Sequence, residues 1–129
     1  MKLRIKGNTL RLRLTRSEVA RLSDTGRVED AIAFGAEPGE TLTYALEASP
    51  DAPTVGARLA DGRITVRLPA DAARRWVDTD QVGIEAEQRT GAGDREAALQ
   101  ILVEKDWACI DGREVDADAF PNPLEEHAC

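Results

Sequence analysis

Leu10-Arg11-Leu12-Arg13-Leu14 and Ile64-Thr65-Val66-Arg67-Leu68 are two alternating runs that superpose at an offset of 54 in a chain of 129 residues. Period-two alternation leaves one face apolar and one wet, which is the pattern of a half-buried strand. A tight-turn pair precedes each run, Gly7-Asn8 before the first and Asp61-Gly62 before the second. Each run is therefore the second arm of a hairpin, with first arms at 2–6 and 56–60. A short helix follows each hairpin. In the first, Thr15 and Glu18 have the spacing of a capping box. In the second, Pro69 opens the helix, where its missing N–H is no loss. Val19 and Leu22 face inward in the first helix, Ala73 and Trp76 in the second. Gly26 suits the left-handed position that ends a helix. Strands near 27–34 and 41–48, and near 81–88 and 97–105, complete the two units. Glu37-Pro38-Gly39-Glu40 and Gly91-Ala92-Gly93-Asp94 supply their turns.

The offset places Arg13 on Arg67, Leu14 on Leu68, Arg21 on Arg75, Asp24-Thr25 on Asp78-Thr79 and Val28 on Val82. Three further residues in the second loop bring Leu42, Tyr44, Leu46 and Glu47 onto Leu99, Ile101, Val103 and Glu104. The chain therefore reads as repeat unit one at 2–48, a linker at 49–55, repeat unit two at 56–105 and a C-terminal arm at 106–129. A unit this small cannot bury its own strands, so both must share one core. The expected fold is a single α+β domain, mostly antiparallel and β-barrel-like, with pseudo-twofold internal duplication of a β-β-α-β-β unit. Closing the barrel would remove the sheet edges.

Composition excludes several classes. No apolar run approaches the length of a membrane span, and Met1 to Lys6 alternates charged and apolar residues, unlike a signal peptide. Cys109 and Cys129 are too few for a disulfide scaffold, so a cytoplasmic protein is expected. The net charge is −7, yet residues 1–28 carry eight basic side chains against Glu18 and Asp24. The acidic total argues against nucleic-acid binding by the whole surface but leaves room for a local basic face. Strand alternation puts Lys2, Arg4, Lys6, Arg11 and Arg13 on one such face. The simplest reading of that face is a solvated one.

The string Leu3-Arg4-Ile5-Lys6-Gly7-Asn8-Thr9-Leu10-Arg11-Leu12-Arg13-Leu14-Thr15 resembles the opening of MazE-type antitoxins and AbrB-type regulators. Pro69 and Asp80-Gln81-Val82 resemble that family's proline and Gly-Asp-x-Val; in the first unit Thr15 stands in place of the proline. The resemblance implies a swapped-hairpin barrel, made here from the two halves of one chain. It also implies that Arg4, Lys6, Arg11 and Arg13 contact DNA, with Arg58, Arg63 and Arg67 as weaker counterparts. The whole chain also looks like a family of small uncharacterised bacterial proteins, a domain of unknown function. That likeness is carried by the opening Lys2 to Leu14, Asp80-Gln81-Val82-Gly83-Ile84, Leu102 to Cys109 and Asp118-Ala119-Phe120-Pro121-Asn122-Pro123. It implies no established activity.

Other constellations are weaker. Cys109, His127 and Cys129 lack the spacing of a zinc site, so no metal is expected. Asp78/Asp80, Glu85/Glu87 and Asp116/Asp118 put two carboxylates on one strand face, but at turns or wet positions rather than in a dry pocket. The only histidine is His127, and no phosphate loop or dinucleotide glycine pattern appears, so neither catalysis nor a cofactor is expected. Phe120-Pro121-Asn122-Pro123 reads as an anchor, with Phe120 plugging the core edge. By the MazE resemblance, Phe120, Pro121 and Pro123 form instead a docking arm for a protein partner. The expected function is a small non-catalytic binding or interaction protein, monomer or homodimer, with no membrane contact. The alternative is an AbrB-like DNA-binding regulator.

Overall fold

A computed structural model describes residues 1–91, 97–107 and 120. Its elements are β1 (Lys2–Lys6), β2 (Thr9–Leu14), α1 (Arg16–Thr25), β3 (Arg27–Ala33), β4 (Thr41–Ser49), β5 (Gly56–Ala60), β6 (Arg63–Pro69), α2 (Ala70–Asp78), β7 (Gly83–Arg89) and β8 (Ala98–Lys105). A 3-10 turn, Pro38–Glu40, leads into β4. The strands form two four-stranded sheets, ordered β1-β2-β8-β7 and β3-β4-β6-β5, so the fold is α+β.

Both turn pairs close two-residue hairpins, but differently. Asp61 and Gly62 both take positive φ (52° and 71°), the type I′ arrangement, whereas at the first turn only Gly7 does (56°). Four antiparallel hairpins result, and a parallel ladder joins them in pairs at the centre of each sheet. One parallel ladder sets Leu10, Leu12 and Arg13 of β2 opposite Ile101, Val103 and Glu104 of β8. The other sets Tyr44, Leu46 and Glu47 of β4 opposite Ile64, Val66 and Arg67 of β6. Alternation specifies which face of a strand is buried, not which strand lies beside it. The parallel centres are therefore new information.

Among the described residues the strands do not close into the expected barrel. The ladders stop at β1 and β7 in one sheet and at β3 and β5 in the other. Side chains span the gaps instead. The Gln88 amide on β7 accepts from Ala57 N at 2.7 Å and donates to Ala57 O at 2.9 Å, a strand-like pair supplied by one side chain. On the other side the Met1 amino group ion-pairs with Glu18 and, at 2.8 Å, with Asp30, while Tyr44 Oη donates to Met1 O at 3.2 Å.

Between the sheets and helices lies one core: Leu10, Leu12 and Leu14 of β2, Val66 and Leu68 of β6, Leu46, Ile101 and Val103 from their partners, and Leu22 and Trp76 from the helices. Each such side chain contributes about 1.5–3 kcal/mol by leaving water. The buried Trp76 keeps its polar edge satisfied, Nε1 donating to Val82 O at 3.2 Å. Helix α1 starts as its sequence requires. Glu18 N donates to Thr15 Oγ1, Thr15 N donates to Glu18 Oε1 at 2.9 Å, and Gly26 ends the helix at φ 80°. Pro69 is not inside α2; it is the last residue of β6 and sits in the cap position.

Two boundaries move. Both helices end with a threonine hydroxyl on the carbonyl one turn back, Thr25 on Arg21 at 2.8 Å and Thr79 on Arg75 at 2.6 Å. After Thr79 the chain takes two more residues before its strand. Ile84, buried and opposite Val103, therefore holds the place that Val28 holds opposite Leu46. Val82, expected to superpose on Val28, is exposed. The linker is also less free than expected: β4 runs through Ser49, and Ser49 and Ala52 are both buried. No helix among the described residues is long and apolar enough to cross a membrane.

Candidate functional site

Because β2 turns its leucines inward, Arg11 and Arg13 project from the outer face of their sheet. The β1–β2 register then sets Lys2 opposite Arg13 and Arg4 opposite Arg11. Like charges directly opposed on one sheet face repel, so the hairpin alone is electrostatically unfavourable. The parallel neighbour β8 supplies relief. Its Glu104, opposite Arg13 and 8% exposed, receives Arg13 Nη2 at 2.7 Å and Nε at 3.0 Å, and Arg11 Nε lies 2.6 Å away. Burial pushes the Glu104 carboxyl up, but hydrogen bonds and charge from Arg11 and Arg13 outweigh it and hold the group below the ordinary carboxylate range. Asp106 lies 3.3 Å from Lys2 Nζ and 3.9 Å from Arg13.

Glu104 fits here because its neighbour on β7 is Gly83. A Cβ at Gly83 would lie 2.8 Å from Val103 O and 3.2 Å from Glu104 Cβ, closer than a side chain tolerates. Lys2, Leu3, Arg4, Arg11 and Arg13 line a cleft of about 370 Å³ on this face. Arg4 is exposed and makes no ion pair among the described residues, whereas Arg11 and Arg13 are recessed, with side chains 16% and 33% exposed. The β7 carboxylates Glu85 and Glu87 belong to the same sheet but stand two strands from β2, about 10 Å. Glu87 accepts from Gln100 Nε2 at 3.1 Å.

A second opening lies between the sheets. Ile5 pairs with Leu10 across the first hairpin, and Leu59 pairs with Ile64 across the third. These two pairs, with Ala57 and Leu99, line an apolar cleft of about 190 Å³. Alternation assigns Ile5 to the buried face, yet Ile5 is 62% exposed and Leu59 71% exposed. Both stand on edge strands where the ladder ends, so nothing in the sheet covers them.

Of the candidate cations, the structure brings Arg4, Arg11 and Arg13 into one cleft and adds Lys2. Lys6 lies one step further along β1, opposite Thr9, and does not line it. Arg63 and Arg67 belong to the other sheet, where they pair with Glu29 and Glu47. No local sequence pattern marks Glu104, Asp106 or Gly83 as site residues, because the cations they serve are far away in sequence. Phe120 is 96% exposed, which overturns the reading in which it plugs the core. Pro121, Pro123, Cys109, His127, Cys129, Asp116 and Asp118 lie outside the described residues. Among the described residues no group of three or more His, Cys, Asp or Glu is placed to hold a metal ion. Lys105 Nζ sits 5.8 Å from the ring centres of both Trp76 and Trp107 and donates to Thr79 O at 2.7 Å, an arrangement that ties β8 to the end of α2.

No curated protein and no solved structure matches the chain. One family model does, over residues 1–124: a family of unknown function, DUF7009.

Proposed function

The chain belongs to that family, and we propose that it is a non-catalytic interaction module which receives an apolar side chain of a partner polypeptide between Ile5 and Leu59. The observation that carries this reading is the uncovered pair itself. Two large aliphatic side chains from different sheets stand exposed across an apolar cleft, an arrangement that soluble proteins keep for contacts. The cytoplasmic setting expected from the sequence suits such a role. A photoreactive residue at position 5 tests it in cells. A discrete crosslinked adduct that Leu59→Glu abolishes is expected. No adduct, or one indifferent to Leu59→Glu, sinks the reading. An adduct of twice the chain mass identifies the partner as a second copy.

A second reading, an AbrB- or MazE-like regulator, is favoured by the cation cleft and by the strand pairing. Each sheet joins one hairpin from each proposed repeat, as a swapped-hairpin duplication would. In this reading Arg4, Lys6, Arg11 and Arg13 grip DNA phosphates. The capture of Arg11 and Arg13 by Glu104 weighs against it. Anisotropy of labelled duplex DNA at low and physiological salt separates the two readings, since phosphate contacts weaken steeply with salt.

A further inference from the structure

We propose that the apolar side chain received between Ile5 and Leu59 is Phe34 of a second copy of this chain, and that two copies exchange it reciprocally; the inference rests on the reading of that cleft as a docking site. Residues 31–40 are exposed throughout, and the run Ala31-Ile32-Ala33-Phe34-Gly35-Ala36 carries no polar side chain. Val28, Ile32 and Phe34 share one parity along β3 and beyond it, yet Val28 is buried while Ile32 is 48% and Phe34 73% exposed. The loop that carries Phe34 is held in place. Phe34 N donates to Glu40 O at 2.6 Å, and Glu37 N donates to Glu40 Oε1 at 3.2 Å. A side chain presented on a fixed loop gives up little freedom on docking.

Three features match this plug to the cleft. The first is size. A cavity of about 150 Å³ lined by aliphatic side chains takes a benzene ring, and the cleft, lined by Ile5, Leu10, Leu59 and Ile64, holds about 190 Å³. The second is charge. The loop at 34–40 carries Glu37 and Glu40 and no cation. Lys6 follows Ile5 and Arg58 precedes Leu59, both exposed, and Arg58 lines the cleft without an ion pair among the described residues. Asp61, the nearest acid in sequence, does not line it. The third is position. Thr43 N donates to Gly62 O at 3.0 Å, and a Cβ on Gly62 would meet Thr41 O at 3.2 Å, so the foot of the Phe34 loop rests on the turn of the hairpin that carries Leu59. Plug and cleft therefore stand at one end of the molecule. A two-fold axis through that end seats both Phe34 side chains at once and closes the assembly at two copies. A one-way insertion instead leaves a free plug and a free cleft, and grows into an open chain.

The test is sedimentation equilibrium of the purified full chain over a range of concentrations. A reversible dimer is expected, with no larger species. Phe34→Ser and Leu59→Glu change exposed side chains, and each strikes both insertions. Each is therefore expected to raise the dimer dissociation constant on the order of a hundredfold, about tenfold per insertion. Mixing the two variants leaves one insertion intact, Phe34 of the Leu59→Glu copy in the cleft of the Phe34→Ser copy. The mixture is expected to dimerise about tenfold more tightly than either variant alone, a result that a loss of structure does not produce. Arg58→Glu is expected to weaken the dimer severalfold. A monomer at every concentration, growth beyond two copies, a dimer indifferent to Phe34→Ser or to Arg58→Glu, or variants that fail to complement each overturn the proposal. So does a dimer lost on Phe120→Ser but kept in Phe34→Ser, which makes Phe120 the plug. In cells, a crosslink from position 5 that depends on Leu59 but joins a different protein overturns the second copy and spares the cleft; no crosslink at all overturns both.

Discussion

The two sheets share a plan and differ in how they use it. Each has a parallel centre, and each places an arginine opposite a glutamate there, Arg13 with Glu104 and Arg67 with Glu47. In the second sheet, Glu47 is shared between strands on both sides. Arg27 of β3 pairs with it directly, Arg67 Nε lies 3.6 Å away, and Arg67 Nη2 donates to Ser49 Oγ at 2.9 Å. In the first sheet, the residue facing Glu104 from β7 is Gly83, so both of its cations come from β2. The glutamate sinks further from solvent, and the positive charge gathers on one side. A shared register thus yields an ordinary surface ion pair in one sheet and a charged cleft in the other. The difference comes down to one side chain, arginine or glycine, on the outer neighbour.

The strongest way to break this comparison is to show that the two centres are unequal in the core. Leu12→Ala on β2 and Leu46→Ala on β4 are each expected to cost about 2–5 kcal/mol in urea unfolding, since both are fully enclosed. A cost for one several times that for the other means the sheets do not carry the core jointly.

The next effect is electrostatic. Glu104→Ala is expected to cost about 2–3 kcal/mol, because Arg11 and Arg13 lose their counter-charge while partly buried. Glu47→Ala, more open to water, is expected to cost under about 1 kcal/mol. Equal costs would erase the distinction between the two pairs. The pH profile sharpens it further. Glu104 faces Arg11 and Arg13 from β2, glycine from β7, and Asp106 lies near the same arginine. Its folded-state pKa is depressed, so its stabilisation is complete above the unfolded value, near pH 4.3, and is lost as pH falls through the folded one. The stability gap between wild type and Glu104→Gln is therefore expected to narrow below about pH 4 and hold steady above about pH 5.5. A gap that is flat with pH removes the ion pair as its cause.

The smallest effect belongs to the glycine. Gly83→Ala is expected to cost about 1–2 kcal/mol by pressing on Val103 O and the base of Glu104. Gly56→Ala, whose Cβ would meet only the Gln88 side chain at 3.4 Å, is expected to cost less. The reverse order would mean that Gly83 does not set the depth of Glu104.

Local chemistry made the elements readable. Alternation marked β2 and β6, the Thr15–Glu18 spacing marked the start of α1, and Gly26 marked its end. Pairing between distant strands was not readable, because an alternating strand accepts a neighbour on either side and in either direction. The site inherits that limit. Arg4, Arg11 and Arg13 were visible as a basic stripe, but their shared counter-charge sits about 90 residues later. The exposure of Ile5 was hidden for the opposite reason. Its alternation is correct, and only the termination of the ladder at β1 leaves it uncovered.

The chain order of the two sheets also bears on how the protein is made. The second sheet is drawn from one continuous stretch, 27–69, so its strands can pair soon after they leave the ribosome. The first sheet takes one hairpin from each end. At ~5–20 residues per second, Leu10, Leu12 and Leu14 wait on the order of 5–20 s for β8 to be synthesised. A nascent chain in that interval carries an unmated apolar strand edge, which makes it a substrate for chaperones. Any stall in translation before Ala98 leaves a product prone to aggregate rather than a smaller folded one.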